Sequence, residues 1–170
     1  RFINHACLIV ETDKFKFAHL SDAILFLPYG VAIDEFQHIV YENPDMTPAE
    51  RNQAWLDVEQ KYLPLRNYED NQHLKEGRFW QRQSHLFGMP FYYIDYVLAQ
   101  VCAFQFWKRN KEAPSEAWKD YITLCKAGGS KSFLDLVQLA QLRSPFETGC
   151  IAEVITEIEN YLDGLDDSEF

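Results

Sequence analysis

The sequence predicts an all-α fold, and three observations support this class. Apolar residues recur at roughly helical spacing through most of the chain, as the buried face of a helix requires. Proline and glycine are scarce inside these periodic segments and stand mainly between them. No stretch sustains the alternation of apolar and polar residues that marks a half-buried strand. We therefore expect a compact multi-helix fold that forms a single domain over residues 1–170.

The first periodic segment covers residues 12–42. Its apolar residues follow helical spacing but are interrupted near Pro28 and Gly30. Proline removes a backbone donor and clashes with the preceding turn of a helix. We therefore expect either two helices here or one helix kinked at the proline.

A capping box predicts where the next helix begins. Thr47-Pro48-Ala49-Glu50 combines a cap residue, a proline in the first turn and a glutamate three residues after the cap. The helix should end at about Leu63, because Pro64 follows it. Residues 65–77 are polar with little periodicity and predict a loop, either without helix or with one short helical turn, and residues 78–87 predict a short helix.

The most apolar segment runs from Phe91 to about Lys111. Its polar interruptions before the basic end are Asp95, Gln100 and Gln105. A helix that is apolar on every side is typical of the centre of a protein. We therefore expect a buried, central helix.

Three further helices complete the predicted fold. They cover residues 115–127, 132–142 and 150–162. Gly128-Gly129 is a strong stop signal for the first of them. Residues 164–170 are acidic and predict a frayed tail.

Charge and composition disfavour several classes of function. The chain carries 26 acidic and 16 basic residues, a net charge of −10, so we expect no nucleic acid partner. No apolar run approaches the roughly 20 residues that span a membrane, so we expect no membrane partner. Four widely spaced cysteines without a C-x-x-C motif indicate a reduced compartment, and we expect a cytoplasmic protein.

Glu35 and His38 have the spacing of a metal half-site. Di-iron helical bundles use such a Glu-x-x-His pair, together with a second copy and two further glutamates. The sequence offers no second copy. A lone pair of this kind is typical of a solvated or hydrogen-bonded helix face, and that is our interpretation.

The turn AGGSKS, residues 127–132, has the composition of a phosphate-binding loop. It follows a predicted helix, whereas a P-loop follows a strand, and it lacks the required spacing. We interpret it as a helix stop followed by a helix cap at Ser132. Because the turn is short, Gly128 and Gly129 are candidates to bring backbone amides close to a bound substrate.

The stretch HLFGMPFYYIDY, residues 85–96, gathers one histidine and three tyrosines around a Gly-Met-Pro break. On a helix Tyr92 and Tyr93 would share one edge with Tyr96, and the break could fold His85 back over them. Such donors can stabilise a developing oxyanion. Taken alone, the residues favour packed tyrosines with satisfied hydroxyls, because aromatic stripes usually belong to the core.

Three stretches, taken in order, resemble one known family. They are HLSDAILFLPYGVAIDEFQHIVYENPDMTPAERNQAW, HLFGMPFYYIDYVLAQVCAFQFW and YITLCKAGGSKSFLDLVQLA. They resemble the C-terminal part of oligoendopeptidase F, a thimet-oligopeptidase-like zinc metallopeptidase, over about residues 13–163. Residues 1–11 do not match that family, and we expect no functional role for His5 or Glu11.

The resemblance implies where the zinc belongs. In that family two histidines of an H-E-x-x-H motif and a later glutamate hold zinc, and the motif glutamate is the general base. This sequence contains no H-E-x-x-H. The resemblance therefore implies zinc in the full-length enzyme, bound N-terminal to this chain, and a chain that alone binds no metal and is inactive.

The resemblance also implies roles for the residues that are present. It assigns transition-state stabilisation to His85 and Tyr96, with Tyr93 as the second phenol and Tyr92 as a substrate contact. The choice between Tyr92 and Tyr93 stays open.

We therefore expect the C-terminal helical part of a larger, zincin-type peptidase that hydrolyses short peptides. Its partners would be the oligopeptide substrate and the N-terminal portion of the enzyme, and an exposed apolar face could pair two copies into a homodimer. The alternative is a stand-alone helical interaction module without catalysis.

Overall fold

The computed structural model describes residues 12–165, and this range contains helices and turns but no strand. The all-α prediction is confirmed. The α-helices are α1 (Thr12–Glu42), α2 (Pro48–Tyr62), α3 (His85–Gly88), α4 (Ile94–Glu112), α5 (Pro114–Ala127), α6 (Phe133–Leu139) and α7 (Cys150–Asp163). The atypical segment 1–11, with His5 and Glu11, and residues 166–170 of the predicted tail lie outside the described residues.

The described residues group into two compact units. Residues 25–97 form one, here called the central unit. Residues 12–24 and 98–165 form the other, the terminal unit. Helices α1 and α4 each contribute residues to both units. The expectation of a single domain over residues 1–170 stays a prediction.

Helix α1 is one continuous element, so the alternative of two helices is wrong. Pro28 lies inside it. Because proline has no N–H, the carbonyl of Ile24 loses its usual helical donor. Ile24 is also the last residue of α1 in the terminal unit, and the central unit begins at the next residue. Two residues beyond Pro28, a Cβ at Gly30 would lie 2.2 Å from Val97 Cγ2, so this glycine permits a close approach to the first turn of α4.

The core of the central unit lies between α1 and α2. The rings of Phe36 and Trp55 meet edge to face with their centroids 5.5 Å apart. Such pairs add to the free energy gained from apolar burial. The buried cluster consists of Ala32, Ile33, Phe36, Ala54, Trp55 and Val58.

By length and composition, α1 could cross a membrane. The qualifying stretch is Asp13–Glu42, so the expectation that no apolar run approaches membrane length was wrong. A core helix passes the same test, and 33% of the most apolar window is buried inside the fold. Because Ile33 and Phe36 are buried beside Trp55 of α2, we interpret α1 as a core helix.

The predicted capping box fixes the start of α2. The Glu50 backbone N–H donates to Thr47 Oγ1 at 3.3 Å, and the Thr47 N–H donates to Glu50 Oε2 at 2.7 Å. The helix ends at Tyr62, one residue short of the predicted end. The segment predicted as a loop contains one short helical turn, Leu74–Arg78, of the π type. The helix predicted over residues 78–87 is divided into a 3₁₀ turn, Phe79–Arg82, and α3.

Gly77 lets the chain turn tightly against α2. Its φ of +78° lies in the left-handed region, and a Cβ would lie 2.2 Å from the backbone oxygen of Asn52. Only glycine adopts both this conformation and this approach without strain. Trp80 Nε1 donates to Asn52 Oδ1 at 3.1 Å, and this hydrogen bond also holds the segment after Gly77 against α2.

The terminal unit is built around one face of α4. Val101 and Phe104 are buried, as are Val154 and Ile158 of α7. Gln105 is also buried and exchanges two hydrogen bonds with the backbone of Arg143, at 2.8 and 3.0 Å. The expectation that α4 is buried on every side is wrong, because Asp95, Ala99 and Ala103 are exposed.

We expect Gly77→Ala to destabilise the protein strongly. The left-handed conformation costs a non-glycine residue about 1–2 kcal/mol, and overpacking costs a further ~1–3 kcal/mol. Urea unfolding measures the change in the free energy of unfolding. Gly88→Ala in the same unit is the control, since no atom of residues 12–165 lies within 4 Å of a Cβ at that position. Equal losses in the two variants would contradict this account.

Candidate active site

A chain reversal between α3 and α4 creates the candidate site. Gly88 ends α3, and Phe91 has a φ of +60°, which is rare for a bulky residue. The Phe91 backbone N–H donates to Gln37 Oε1 at 2.7 Å, and Gln37 is only 2% exposed. A buried amide on α1 thus holds the strained position. The predicted helix start at Phe91 was three residues early.

The reversal brings four rings together, although Tyr92 and Tyr93 precede the helix and do not share a helix edge with Tyr96 as expected. The His85 ring centroid lies 5.1 Å from that of Tyr93, 5.8 Å from Tyr96 and 6.4 Å from Tyr92. Tyr96 lies 5.3 Å from Tyr92 and 5.5 Å from Tyr93. We call His85, Tyr92, Tyr93 and Tyr96 the ring cluster.

The ring cluster is not sealed in the core. Tyr92 and Tyr96 are 37% and 41% exposed, while His85 and Tyr93 are partly buried. Tyr93 also packs against Phe26 and Tyr29 of α1, with centroids 5.8 and 5.9 Å apart. The cluster therefore has a supported side and a side open to solvent.

Two phenols of the ring cluster have pKa values raised above the ordinary value. A hydrogen bond with Tyr92, and then burial, raises the pKa of Tyr96. Burial raises the pKa of Tyr93, opposed by the positive charge of Arg82. A protonated phenol can donate a hydrogen bond, so both are donors at neutral pH.

His85 is held by a hydrogen-bonded chain from α1. Gln83 Nε2 lies 2.7 Å from His85 Nδ1, and the Tyr29 hydroxyl donates to Gln83 Oε1 at 2.9 Å. Sequence reasoning missed Tyr29, Gln83 and Gln37. The nearness of Gln83 to His85 in sequence is a weak signal, and nothing in the local pattern connects the two α1 residues to position 85.

The other predicted substrate-binding residues, Gly128 and Gly129, belong to the terminal unit. Gly128 has a φ of +52° and ends α5, as predicted. No atom of the described residues lies within 4 Å of a Cβ at either position, so within this part of the chain both face open space. Their role in substrate binding stays a prediction.

The described residues do not fit a metal centre. Among residues 12–165 no group of three His, Cys, Asp or Glu side chains is arranged to hold a metal ion. Glu35 accepts hydrogen bonds from Lys61 Nζ at 2.8 Å and from Tyr62 at 2.5 Å. The His38 ring packs on Phe91, with centroids 4.9 Å apart. Glu35 and His38 therefore make separate contacts.

Comparisons with known proteins identify the relatives of this chain. Residues 5–155 match peptidase family M3, so the expectation that residues 1–11 do not match the family is wrong from residue 5 onward. A crystal structure assigned as an oligoendopeptidase F superposes with a TM-score of 0.90 at 60% identity, covering 94% of this chain and 28% of its own. PZ peptidase A with an inhibitor gives 0.89 at 60% identity, covering 92% and 28%. A protein from Bacillus anthracis str. Ames, also assigned as an oligoendopeptidase F, gives 0.75 at 52% identity, covering 93% and 25%.

These matches confirm the resemblance to oligoendopeptidase F and do not favour the stand-alone interaction module. The chain spans about 28% of the length of the first two solved relatives. A comparison with curated protein sequences gave no significant match.

Because of Tyr29, the free energy of unfolding should fall as pH rises through the alkaline range. Burial raises its pKa from 10.0 to about 12 in the folded chain. As pH rises, the Tyr29 hydroxyl therefore ionises in the unfolded chain before it ionises in the folded chain. Its contribution to the free energy of unfolding is complete below pH 10 and is lost as pH rises to 12. We expect the free energy of unfolding to fall less steeply over this interval in Tyr29→Phe than in the wild type. Identical pH slopes in urea melts would contradict this.

Proposed function

The chain belongs to peptidase family M3, and we propose that it supplies the side chains that stabilise the oxyanion during hydrolysis of short peptides. The full enzyme would be an oligoendopeptidase F-like metallopeptidase. The observation that carries the proposal is the convergence of the His85, Tyr93 and Tyr96 rings, with centroids 5.1 to 5.8 Å apart, at a partly exposed place.

The proposal follows from how charge moves in amide hydrolysis. When water adds to the carbonyl carbon, negative charge develops on the carbonyl oxygen. A donor already in place gains strength as this charge grows and needs no reorganisation at that moment. Such a donor raises turnover more than it tightens substrate binding.

The geometry distinguishes roles within the ring cluster. Tyr93 has the ring closest to His85 and is supported by Phe26 and Tyr29. We propose that Tyr93 and Tyr96 are the two phenol donors and that the imidazole of His85 is a third hydrogen-bond donor. Tyr92 is more exposed than Tyr93 and bonds to Tyr96, so it suits a contact with the substrate.

We propose that zinc is held by residues outside this chain. The described residues do not form a ligand set, and no step attributed to the ring cluster passes through the metal. The partners would then be the rest of the enzyme and an oligopeptide. Exposed rings such as Trp118, which is 63% exposed, would suit self-association of the separate chain.

Tyr96→Phe should lower turnover of the full-length enzyme. Removing one oxyanion donor costs about 10²–10³ in kcat, while KM should change little because the ground-state carbonyl carries less charge. Steady-state kinetics with a quenched oligopeptide measures both constants, and the melting temperature reports folding.

The matched control is Tyr41→Phe, which removes an exposed hydroxyl in the same unit outside the ring cluster. It should leave kcat and KM unchanged. The proposal fails if Tyr96→Phe lowers the melting temperature but leaves turnover per folded molecule at the wild-type value.

The chain alone should neither retain zinc nor cleave peptides. Oxyanion donors without an activated water give little rate. Metal analysis after mild chelation and an assay of the purified 170-residue chain test this. One tightly held zinc per chain, or chelator-sensitive turnover, would contradict the proposed division of the active site.

A further inference from the structure

We propose that Tyr29 and Gln83 are positioning residues that fix the tautomer of His85, with the proton on Nε2. Nε2–H is then the donor that His85 offers to a substrate oxygen. The tautomer follows from hydrogen bonding alone, and its catalytic use rests on the proposed function.

The positions of the three groups define the chain of hydrogen bonds. Tyr29 Oη lies 2.9 Å from Gln83 Oε1, and Gln83 Nε2 lies 2.7 Å from His85 Nδ1. Both are within normal hydrogen-bond range. The Gln83 side chain is partly buried between its two partners. It therefore connects a residue of α1 to the imidazole.

Tyr29 determines the direction in which the hydrogen bonds between Tyr29, Gln83 and His85 run. Burial raises the pKa of this phenol to about 12, so it keeps its proton at neutral pH. A partly buried O–H needs an acceptor, and an amide has one acceptor end. Gln83 Oε1 therefore faces Tyr29. In the reversed orientation the Tyr29 proton would have no acceptor among the hydrogen bonds of the described residues.

The orientation of the Gln83 amide determines which ring nitrogen of His85 carries the proton. With Oε1 toward Tyr29, the end of Gln83 that faces the imidazole is an NH₂ group, which only donates. Nδ1 must then present its lone pair, so the proton of the neutral ring lies on Nε2. Nδ1 and Nε2 are separated by Cε1 and point in different directions, so Nε2–H can donate to another acceptor while Nδ1 accepts from Gln83.

Packing makes the anchor rigid. The Tyr29 ring meets Phe79 and Tyr93 nearly at right angles, with centroids 6.1 and 5.9 Å apart. Gln83 directly follows the 3₁₀ turn Phe79–Arg82. The same tyrosine thus supports the phenol donor Tyr93 and orients His85, so one residue of α1 aligns two members of the ring cluster.

Nitrogen NMR of the full-length protein tests the tautomer without any assay. With ¹⁵N-labelled histidine, the two ring nitrogens of a neutral imidazole have different shifts and proton couplings in the two tautomers. A His85→Asn variant assigns the signals. We expect the Nε2–H pattern in the wild type, and an Nδ1–H pattern would overturn the proposal.

Gln83→Glu should reverse the tautomer. A carboxylate accepts from Nδ1–H, so the Nε2–H pattern should be lost, and kcat should fall about 10²-fold, as for a lost oxyanion donor, with KM little changed. Gln81→Glu is the matched control, because it places the same charge two residues away on an exposed side chain. It should keep both the Nε2–H pattern and the turnover.

Tyr29→Phe provides a second variant that keeps the ring packing. Without the phenol proton the Gln83 amide can turn either way, so we expect His85 to lose its single tautomer. An unchanged Nε2–H pattern in both Tyr29→Phe and Gln83→Glu would overturn the positioning role. A reversed tautomer with unchanged turnover in Gln83→Glu would instead count against the proposed use of His85 as a donor.

Discussion

The hydrogen bond from the Phe91 backbone to the buried Gln37 side chain is the constraint on which the candidate site depends. Phe91 adopts a left-handed conformation that a phenylalanine rarely tolerates, and this conformation reverses the chain between α3 and α4. Gln37 can hold it because α1 is itself fixed by the core around Trp55. Without the reversal, His85 would lie beyond the reach of the tyrosines that follow it.

The helices could largely be predicted from the sequence, because their boundaries are set locally. The capping box at Thr47, the proline that begins α5 and the glycine that ends it each act within one turn of the chain. At Pro28 the same reasoning left two outcomes open, two helices or one kinked helix, because propensity alone does not decide whether tertiary packing keeps a helix continuous through a proline; α1 is continuous.

The sequence identified the four residues of the ring cluster but not their spatial arrangement. Spacing placed the tyrosines on one helix edge, whereas two of them precede α4 and approach through a backbone conformation that no pattern signals. Tyr29 lies 54 residues before its partner Gln83, so their contact depends on the tertiary fold. Local sequence patterns identify reactive side chains more readily than the residues that orient them.

The central claim is that the ring cluster meets the oxygen that becomes charged during hydrolysis. A crystal structure of the full-length enzyme with a phosphinic peptide, whose tetrahedral phosphorus mimics the hydrated amide, tests it most directly. The account predicts one phosphinic oxygen within about 3 Å of both the Tyr96 hydroxyl and His85 Nε2. A peptide bound at the metal with its phosphinic oxygens in contact with neither group would contradict it.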